Sequence, residues 1–562
     1  METLYDKASL ILNPGIYDTG KVYCTKPLDG SGDLTFTRAS NATRVNADGL
    51  IEKVRTNVAL YSEDFSTWSK PGISISTNTT TAPDGTLTAD TLTVSSSISY
   101  VYRSHNALGE YTISCYVKAG TNNFVALNVQ GTATHWVTAV FDLSTGAIGE
   151  YAQGTGGNTS YVSHSITSAG SGWYRCSLTI NSSNISTATY YSVMFTNSAT
   201  GNSFNVNYGE PSGNTIGNTL IVWGAQYETG AMTDYIPTTT AAVSVGPVSG
   251  LPRLDYSGGA TCPSLLLEPQ RTNLYPYSSQ LNQWTATQSA IVTANYAVSP
   301  DGYTNADRVQ FTAGSLVYIS NTGSAGENTM SVYAKATNGT SAKFRFFANG
   351  ATTFSSDQTA TGEWQRFTFT YTYSAVTAGL ARPTTNGGVD DVIFYGFQHE
   401  IGSYATSYIP TLGSAVTRLA DSVTKTISAM SGSGYTSTLY FEIEGRFNPG
   451  TIDQVRWYPS ANIASRFWIY TNVMGSAAAP IGESFPVGNL KHKFIFKAES
   501  STAISIFYNG VKKTFSNSAT TGNGYDTLEM YGQNANEGYK VSQILAFPTA
   551  LTDQQCIELT TL

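Results

Sequence analysis

One stretch closes a folding unit and occurs twice, and it constrains this chain more than any other feature. The first copy is Val222–Pro237, VWGAQYETGAMTDYIP, and the second is Phe394–Pro410, FYGFQHEIGSYATSYIP. Gly224 matches Gly396, Gln226 matches Gln398, Glu228 matches Glu400, and Tyr235-Ile236-Pro237 matches Tyr408-Ile409-Pro410. The first half of each copy alternates as a half-buried strand does, and the closing proline, which has no N–H, ends the ladder. An end of this kind requires a beginning, and the beginnings also match. Arg55-Thr56-Asn57 recurs as Arg271-Thr272-Asn273, Trp68 as Trp284, and Pro83-Asp84-Gly85 as Pro300-Asp301-Gly302. The central strand Thr112–Gly120 recurs as Thr329–Thr337, and Trp173-Tyr174-Arg175 as Trp364-Gln365-Arg366. Matching signatures in one order predict a duplicated domain.

The 562 residues suffice for three or four domains of roughly 150 residues. Charged residues are 12%, about half the usual ~25% of soluble domains. Ser, Thr, Asn, Gly and 36 Tyr take their place, a composition of strands and turns rather than helices. The predicted class is all-β, as tandem antiparallel β-sandwiches of jelly-roll or lectin-like type. The net charge of −8, without a basic stripe, argues against a nucleic-acid partner. No run nears the ~18 apolar residues of a spanning helix, so membrane insertion is not expected. The opening METLYDKASLILNPG lacks a signal-peptide layout, which predicts synthesis without export.

Residues 1–54 lie outside the repeat and are too few to bury a core alone, so an attachment or collar segment is expected. Sandwich 1 is placed at 55–245. A Pro/Gly-punctuated connector, Gly246–Gln270, and sandwich 2 occupy 246–433. A third sandwich, the other two being duplicates, occupies 434–562. The first copy is longer at Gly146–Ser160 and Asn202–Gly217, and such insertions are expected on loops. Asn509-Gly510 predicts a hairpin turn, and Thr552 with Gln555 predicts a capping box for a short C-terminal helix.

Four stretches carry a resemblance: FTRASNATRVNADGLIEKVRTN (Phe36–Asn57), LPRLDY with CPSLLLEPQRTN (Leu251–Asn273), the closing YIPT, and ILAFPTALTDQQCIEL (Ile544–Leu559). They resemble bacteriophage fibre and tail-fibre proteins, especially those of Bacteroides-type gut phages including the crAss-like group. The resemblance covers nearly the whole chain. It implies carbohydrate-binding-module-like middle sandwiches and a last domain similar to concanavalin A-like or laminin-G-like lectins. It further implies a virion protein, a head or tail fibre made in the bacterial host cytoplasm. Its implied partners are copies of itself in a homotrimer, other virion proteins, and host-surface or mucus glycans.

Chemistry-bearing motifs are few. None of the five histidines has a second His or Cys at ligand spacing, and no nucleophile elbow or phosphate loop is present. Glu442 and Glu444 share one strand face, as do the acid pairs of concanavalin A-like glycosidases, but the further acid of that pattern is missing. A non-enzymatic protein is therefore expected, with a polysaccharide depolymerase and a non-binding decoration scaffold as alternatives. Sugar binding needs aromatic faces beside short polar groups. The candidates are Trp136, Tyr151, Tyr161 and Tyr208 around the first-module insertions, with Trp457 and Tyr458 in the last domain. Asp84 and Asp301, each before Gly, are candidates for a structural calcium, though a plain turn explains the same pattern. No other cofactor is expected.

Cysteine usage yields a prediction. Cys115 aligns with Val332 and Cys176 with Phe367. A position that takes Cys in one copy and an apolar residue in the other is a core position. Thermal melting with and without reductant is expected to agree, and a large drop on reduction would show a structural disulfide.

Overall fold

The computed structural model describes residues 3–561, apart from 107, 132, 184–189, 201–203, 206–207, 212–213, 313, 321–324, 375–376, 382–389, 427–435, 446–454, 460–466, 471–472, 477–478, 485–489, 501–502, 517–524 and 532–537. The fold is all-β. Its two α-helices among these residues are Leu4–Lys7 and Asp553–Thr560, the second closed by the Thr552–Gln555 capping box. The chain divides into two compact units, Val54–Gly246 and Met1–Lys53 with Pro247–Leu562.

The first unit is a sandwich. One sheet runs Thr159–Gly170, Trp173–Ser182, Gly109–Ala119, Thr219–Thr229, Ala89–Val94, Ile73–Thr80. The facing sheet runs Tyr100–Ser104, Tyr190–Phe195, Phe124–Gln130, Trp136–Asp142, Ala147–Gln153. Alternate residues from both meet in one core, among them Val117, Leu178 and Val222 from the first and Val101, Leu127 and Phe141 from the second. The insertion expected as a loop at Gly146–Ser160 instead begins with the edge strand Ala147–Gln153, paired to Trp136–Asp142. The polar side chains there suit an edge strand with an exposed face.

The repeat signatures form a clasp at the root of each module. Arg55–Asn57 pairs with Val243–Val245, and Arg271–Asn273 with Val416–Arg418, so each module ends where it begins. Buried Asn57 donates to the carbonyls of Ala225 and Ile236 and accepts from the N–H groups of Ala59 and Tyr227. Asn273 repeats this with Phe397, Ile409, Tyr275 and His399. All four hydrogen-bonding positions of the amide are used, which is what a fully buried Asn requires. Gln226 and Gln398 accept from Ile236 and Ile409, while Glu228 and Glu400 accept from Thr233 and Thr406. Gly224 and Gly396 sit at φ 61° and 67°, where both central ladders shift register. A glycine supports that left-handed bulge at little cost.

The second unit holds module 2 and a third sandwich assembled from separated pieces of chain. In module 2 the sheet Ile291–Val298, Thr304–Phe311, Asp390–Ile401, Gly326–Ala336, Gln365–Tyr373 faces one containing Leu316–Ser320, Thr377–Ala381 and Ser341–Ala348. In the third sandwich Leu10–Leu12 and Ser264–Leu267 both pair with Tyr539–Phe547, while Leu34–Thr37 pairs with Ser422–Thr426. Leu10, Phe36, Leu265, Phe441, Trp457 and Phe496 share its core. Residues 1–53 are thus not a separate collar. Some of their strands pair with one another, but Leu10–Leu12 and Leu34–Thr37 find ladder partners in Tyr539–Phe547 and Ser422–Thr426, hundreds of residues away. The connector Gly246–Gln270 packs through Leu265-Leu266-Leu267: Leu254–Asp255 pairs with Ser264–Leu267, which pairs with Tyr539–Phe547. The boundary near Gly434 falls outside the described residues. Asn509 and Gly510, at φ 46° and 76°, turn the hairpin between Ala503–Tyr508 and Val511–Ser516.

Five buried charges tie these pieces together. Arg253 pairs with Asp421 and, at 2.7 Å, with Glu268; Arg38 reaches Asp421 at 3.1 Å, and Arg418 reaches Glu268 at 2.8 Å. Ser407 donates to Glu268 through both its N–H and its hydroxyl. The cysteines are free; Cys24, Cys115, Cys176 and Cys556 are buried and Cys262 is exposed. Cys115 lies opposite Cys176 as Val332 lies opposite Phe367.

Two stability predictions follow from burial. Replacing Asp421 by Asn leaves Arg38 and Arg253 short of their counter-charge, so denaturant unfolding is expected to show a loss of about 3–5 kcal/mol. A loss below 1 kcal/mol would remove the cluster from the supports of this unit. For pH, burial alone would raise Glu268, but Arg418 and Arg253 outweigh it and hold the carboxyl well below its usual range. Burial pushes the His399 imidazole down to about 4. A folded pKa below the unfolded one gives stability that is lost as pH falls. The His399 contribution, roughly 3 kcal/mol, therefore disappears between about pH 6.5 and 4, and the Glu268 contribution at lower pH. Urea midpoints from pH 7 to 3 are expected to fall in that order, and a flat profile from pH 7 to 4 would contradict it.

Candidate functional site: a tyrosine-lined groove in the first module

The site lies on the outer face of the smaller sheet of Val54–Gly246. Strand alternation selects its residues. Val101 in Tyr100–Ser104, Tyr191 and Val193 in Tyr190–Phe195, and Leu127 and Val129 in Phe124–Gln130 point into the core. Tyr100 and Tyr102, Tyr190 and Ser192, and Asn128 and Gln130 therefore face outward. The register sets Tyr102 beside Ser192, which pairs in turn with Asn128, and Tyr190 beside Gln130, which pairs in turn with Trp136.

Phe204 and Tyr208–Glu210, within the second insertion, lie across part of this face. Asn128 donates to Tyr208 O at 3.2 Å and Thr138 to Gly209 O at 2.8 Å. Gly209 lies flat on the Trp136 indole; a Cβ there would stand 2.2 Å from the ring. The uncovered remainder is a groove of about 460 Å³ lined by Tyr100, Tyr102, Tyr190, Tyr208, Gln130, Ser192 and Glu210. Tyr102 meets Tyr190 edge-on at 5.2 Å, and Tyr100 lies 5.7 Å from Tyr102. Glu210 is buried; burial and this carboxylate raise the Tyr100 pKa well above its ordinary value. Half-exposed rings beside fixed polar groups can hold a ligand with apolar C–H faces and hydroxyl edges.

The sequence-derived candidates divide. Tyr208 lines the groove, 38% exposed. Trp136 is 5% exposed beneath Gly209, so it supports the groove floor and is no open platform, contrary to expectation. Tyr151 and Tyr161 stack on each other, centroids 3.6 Å apart, and Tyr161 bonds His164 at 2.9 Å; neither lines the groove. Trp457 is wholly buried against Phe467, Phe496 and Tyr525, a correction to its reading as a sugar platform. Tyr458 is also buried, and burial and the Glu529 carboxylate raise the pKa of its hydroxyl. Trp457 points into the core of the third sandwich, while Tyr458, its neighbour on the strand Val455–Tyr458, points to the opposite face and is covered there; proximity to a turn reveals neither.

Asp84 caps its own turn, accepting from the Thr86 N–H and hydroxyl. Asp301 is buried and bound by Lys53 at 2.7 Å, Tyr395 and Asn305, so an ammonium occupies the candidate calcium position. Among the described residues no group of three or more His, Cys, Asp or Glu is placed to hold a metal. Glu442 and Glu444 lie on Ser437–Gly445 opposite Lys493, Lys491 and Lys540.

Tyr100, Tyr102, Tyr190 and Glu210 were missed. A usable signal was present in the copy comparison. Val101 and Val317 are equivalent inward positions, each fully buried. Tyr100-Val101-Tyr102 thus corresponds to Leu316-Val317-Tyr318, and the second copy lacks the first tyrosine. In module 2 side chains of the corresponding sheet pack on one another: Tyr318 meets Phe347 edge-on at 6.1 Å, and the Arg345 guanidinium lies over Phe354 at 4.5 Å. A larger cleft of about 920 Å³ in the second unit includes Arg44, Asp255, Glu268 and Lys540 in its lining. Those charges are already paired, Arg44 with Glu52 and Lys540 with Asp255.

No family model matches this chain, and no curated protein matches it. Solved structures do. A receptor-binding domain has 16% identity and a TM-score of 0.19, over 25% of this chain and 39% of that one. The binding domain of Botulinum neurotoxin DC, solved with rat synaptotagmin II, has 15% identity and a TM-score of 0.19, over 25% of this chain and 40% of that one. This chain therefore spans about two fifths of either structure. The tandem CBM22-1-CBM22-2 domain of Paenibacillus barcinonensis Xyn10C has 11% identity and a TM-score of 0.21, over 61% of this chain and 96% of that one.

Proposed function

We propose that this protein is a glycan-binding structural component of a bacteriophage particle, a head or tail fibre without enzymatic activity. The observation that carries the binding role is the groove over Tyr100, Tyr102, Tyr190 and Tyr208, with Glu210 and Gln130 as polar anchors. The virion role is supported by the fibre-like motifs described above. Synthesis in the host cytoplasm, assembly as a homotrimer with other virion proteins, and host-surface or mucus glycans as ligands belong to the same reading.

A shallow groove with a few ring faces gives weak single-site binding, millimolar to micromolar, about −4 to −8 kcal/mol. Many copies on one particle would raise the effective affinity by ~10²–10⁴. Reversible attachment to a glycan-coated cell needs no more than that.

Tyr102→Ala and Tyr190→Ala are each expected to weaken binding to host polysaccharide roughly 2- to 10-fold, on the order of 0.5–1.5 kcal/mol per ring, with melting unchanged. Trp457→Ala is the contrasting variant, expected to cost roughly 3–5 kcal/mol of stability because it empties a core site. Parent-like binding by both tyrosine variants would replace the glycan role with a display scaffold.

A further inference from the structure

The charge around the groove narrows the ligand. Its lining contains one carboxylate, Glu210, and no Lys, Arg or His. Glu210 is 8% exposed, so its charge is poorly screened by water. It lines the groove together with Tyr100, whose hydroxyl pKa burial and this carboxylate raise. The nearest basic residue along the strand, Arg103, has the opposite parity to Tyr100 and Tyr102. Its guanidinium lies over Tyr61 at 5.0 Å and Trp68 at 5.5 Å, away from the lining. A saccharide bearing carboxylate or sulfate would therefore meet a fixed like charge with no counter-ion, whereas a hydroxyl could donate to Glu210. Like charges in a partly desolvated site repel strongly.

We infer that the groove selects uncharged saccharides and rejects acidic ones, with Glu210 as the residue that sets this preference. The inference rests on the glycan-binding reading above and extends it to ligand class. The four tyrosines offer faces to any sugar ring, so they do not provide charge discrimination themselves.

The test uses the full chain and two sets of immobilised polymers. One set is neutral, namely mannan, arabinogalactan and β-glucan. The other pairs polygalacturonate and hyaluronan with their carboxyl-reduced forms, so that charge changes while the backbone is kept. Binding is expected among the neutral and carboxyl-reduced polymers, with any acidic parent bound about tenfold or more weakly than its reduced form. In Glu210→Gln, which retains an acceptor and the shape of the side chain, that ratio is expected to shrink at least threefold; it is taken within each protein, so any loss of binding common to neutral and acidic polymers cancels. Melting curves of the two proteins establish that the variant is folded. Equal or tighter binding of an acidic polymer than of its reduced form overturns the charge selection while leaving the glycan role intact. A ratio unchanged in Glu210→Gln overturns the assignment to Glu210. Absence of binding to every polymer by the parent overturns the glycan reading and this inference with it.

Discussion

Arg38, Arg253, Glu268, Arg418 and Asp421 come from separated stretches of chain and meet out of water. None could be buried alone, because an unpaired charge in a protein interior costs several kcal/mol. Each therefore requires the others, and the stretches that carry them must converge. Arg38 belongs to the N-terminal strands, Arg253 and Glu268 to the connector, Arg418 to the root of module 2, and Asp421 to the strand returning from it. The third sandwich can thus be interrupted twice along the chain and still close. The same residues stand in the motifs behind the fibre resemblance: Arg38 in FTRAS, Arg253 in LPRLDY and Glu268 in LLLEPQRTN. Those motifs mark a joint rather than a binding site.

The clasps perform a similar role at smaller scale. A module that begins and ends on one short two-stranded ribbon can be inserted into another domain without pulling it apart. The buried amides of Asn57 and Asn273 join the first strand, the closing strand and the YIP turn in each copy. Duplication kept this part and released the outer faces to differ. One copy filled its face with Phe347, Phe354 and Arg345. The other acquired an insertion that covers Trp136 and leaves the tyrosine groove open.

In the proposed function the rigid part is the sheet, and the groove owes its shape to it. Tyr100, Tyr102 and Tyr190 stand on paired strands, so their spacing is set by ladder geometry rather than by loop conformation. Only Tyr208 and Glu210 come from the insertion, and backbone carbonyls of that insertion are held by Asn128 and Thr138. Binding surfaces built this way bring little ordering cost to a weak interaction, which favours multivalent use.

The sequence by itself determined the class, the duplication, the core positions of Cys115 and Cys176, the Asn509-Gly510 turn and the C-terminal cap. Each of these follows from period, turn chemistry or alignment of one copy on the other, all of which are local or self-referential. It also pointed to the insertion that carries Tyr208. The tertiary structure alone decided that residues 1–53 complete the last sandwich, that Trp457 is core, that Asp301 holds Lys53, and that Tyr190 stands beside Tyr102. Strand alternation says that two faces exist but not which one is covered. Ladder partners hundreds of residues apart leave no spacing signature, because any free edge of matching length could satisfy the same N–H and C=O groups.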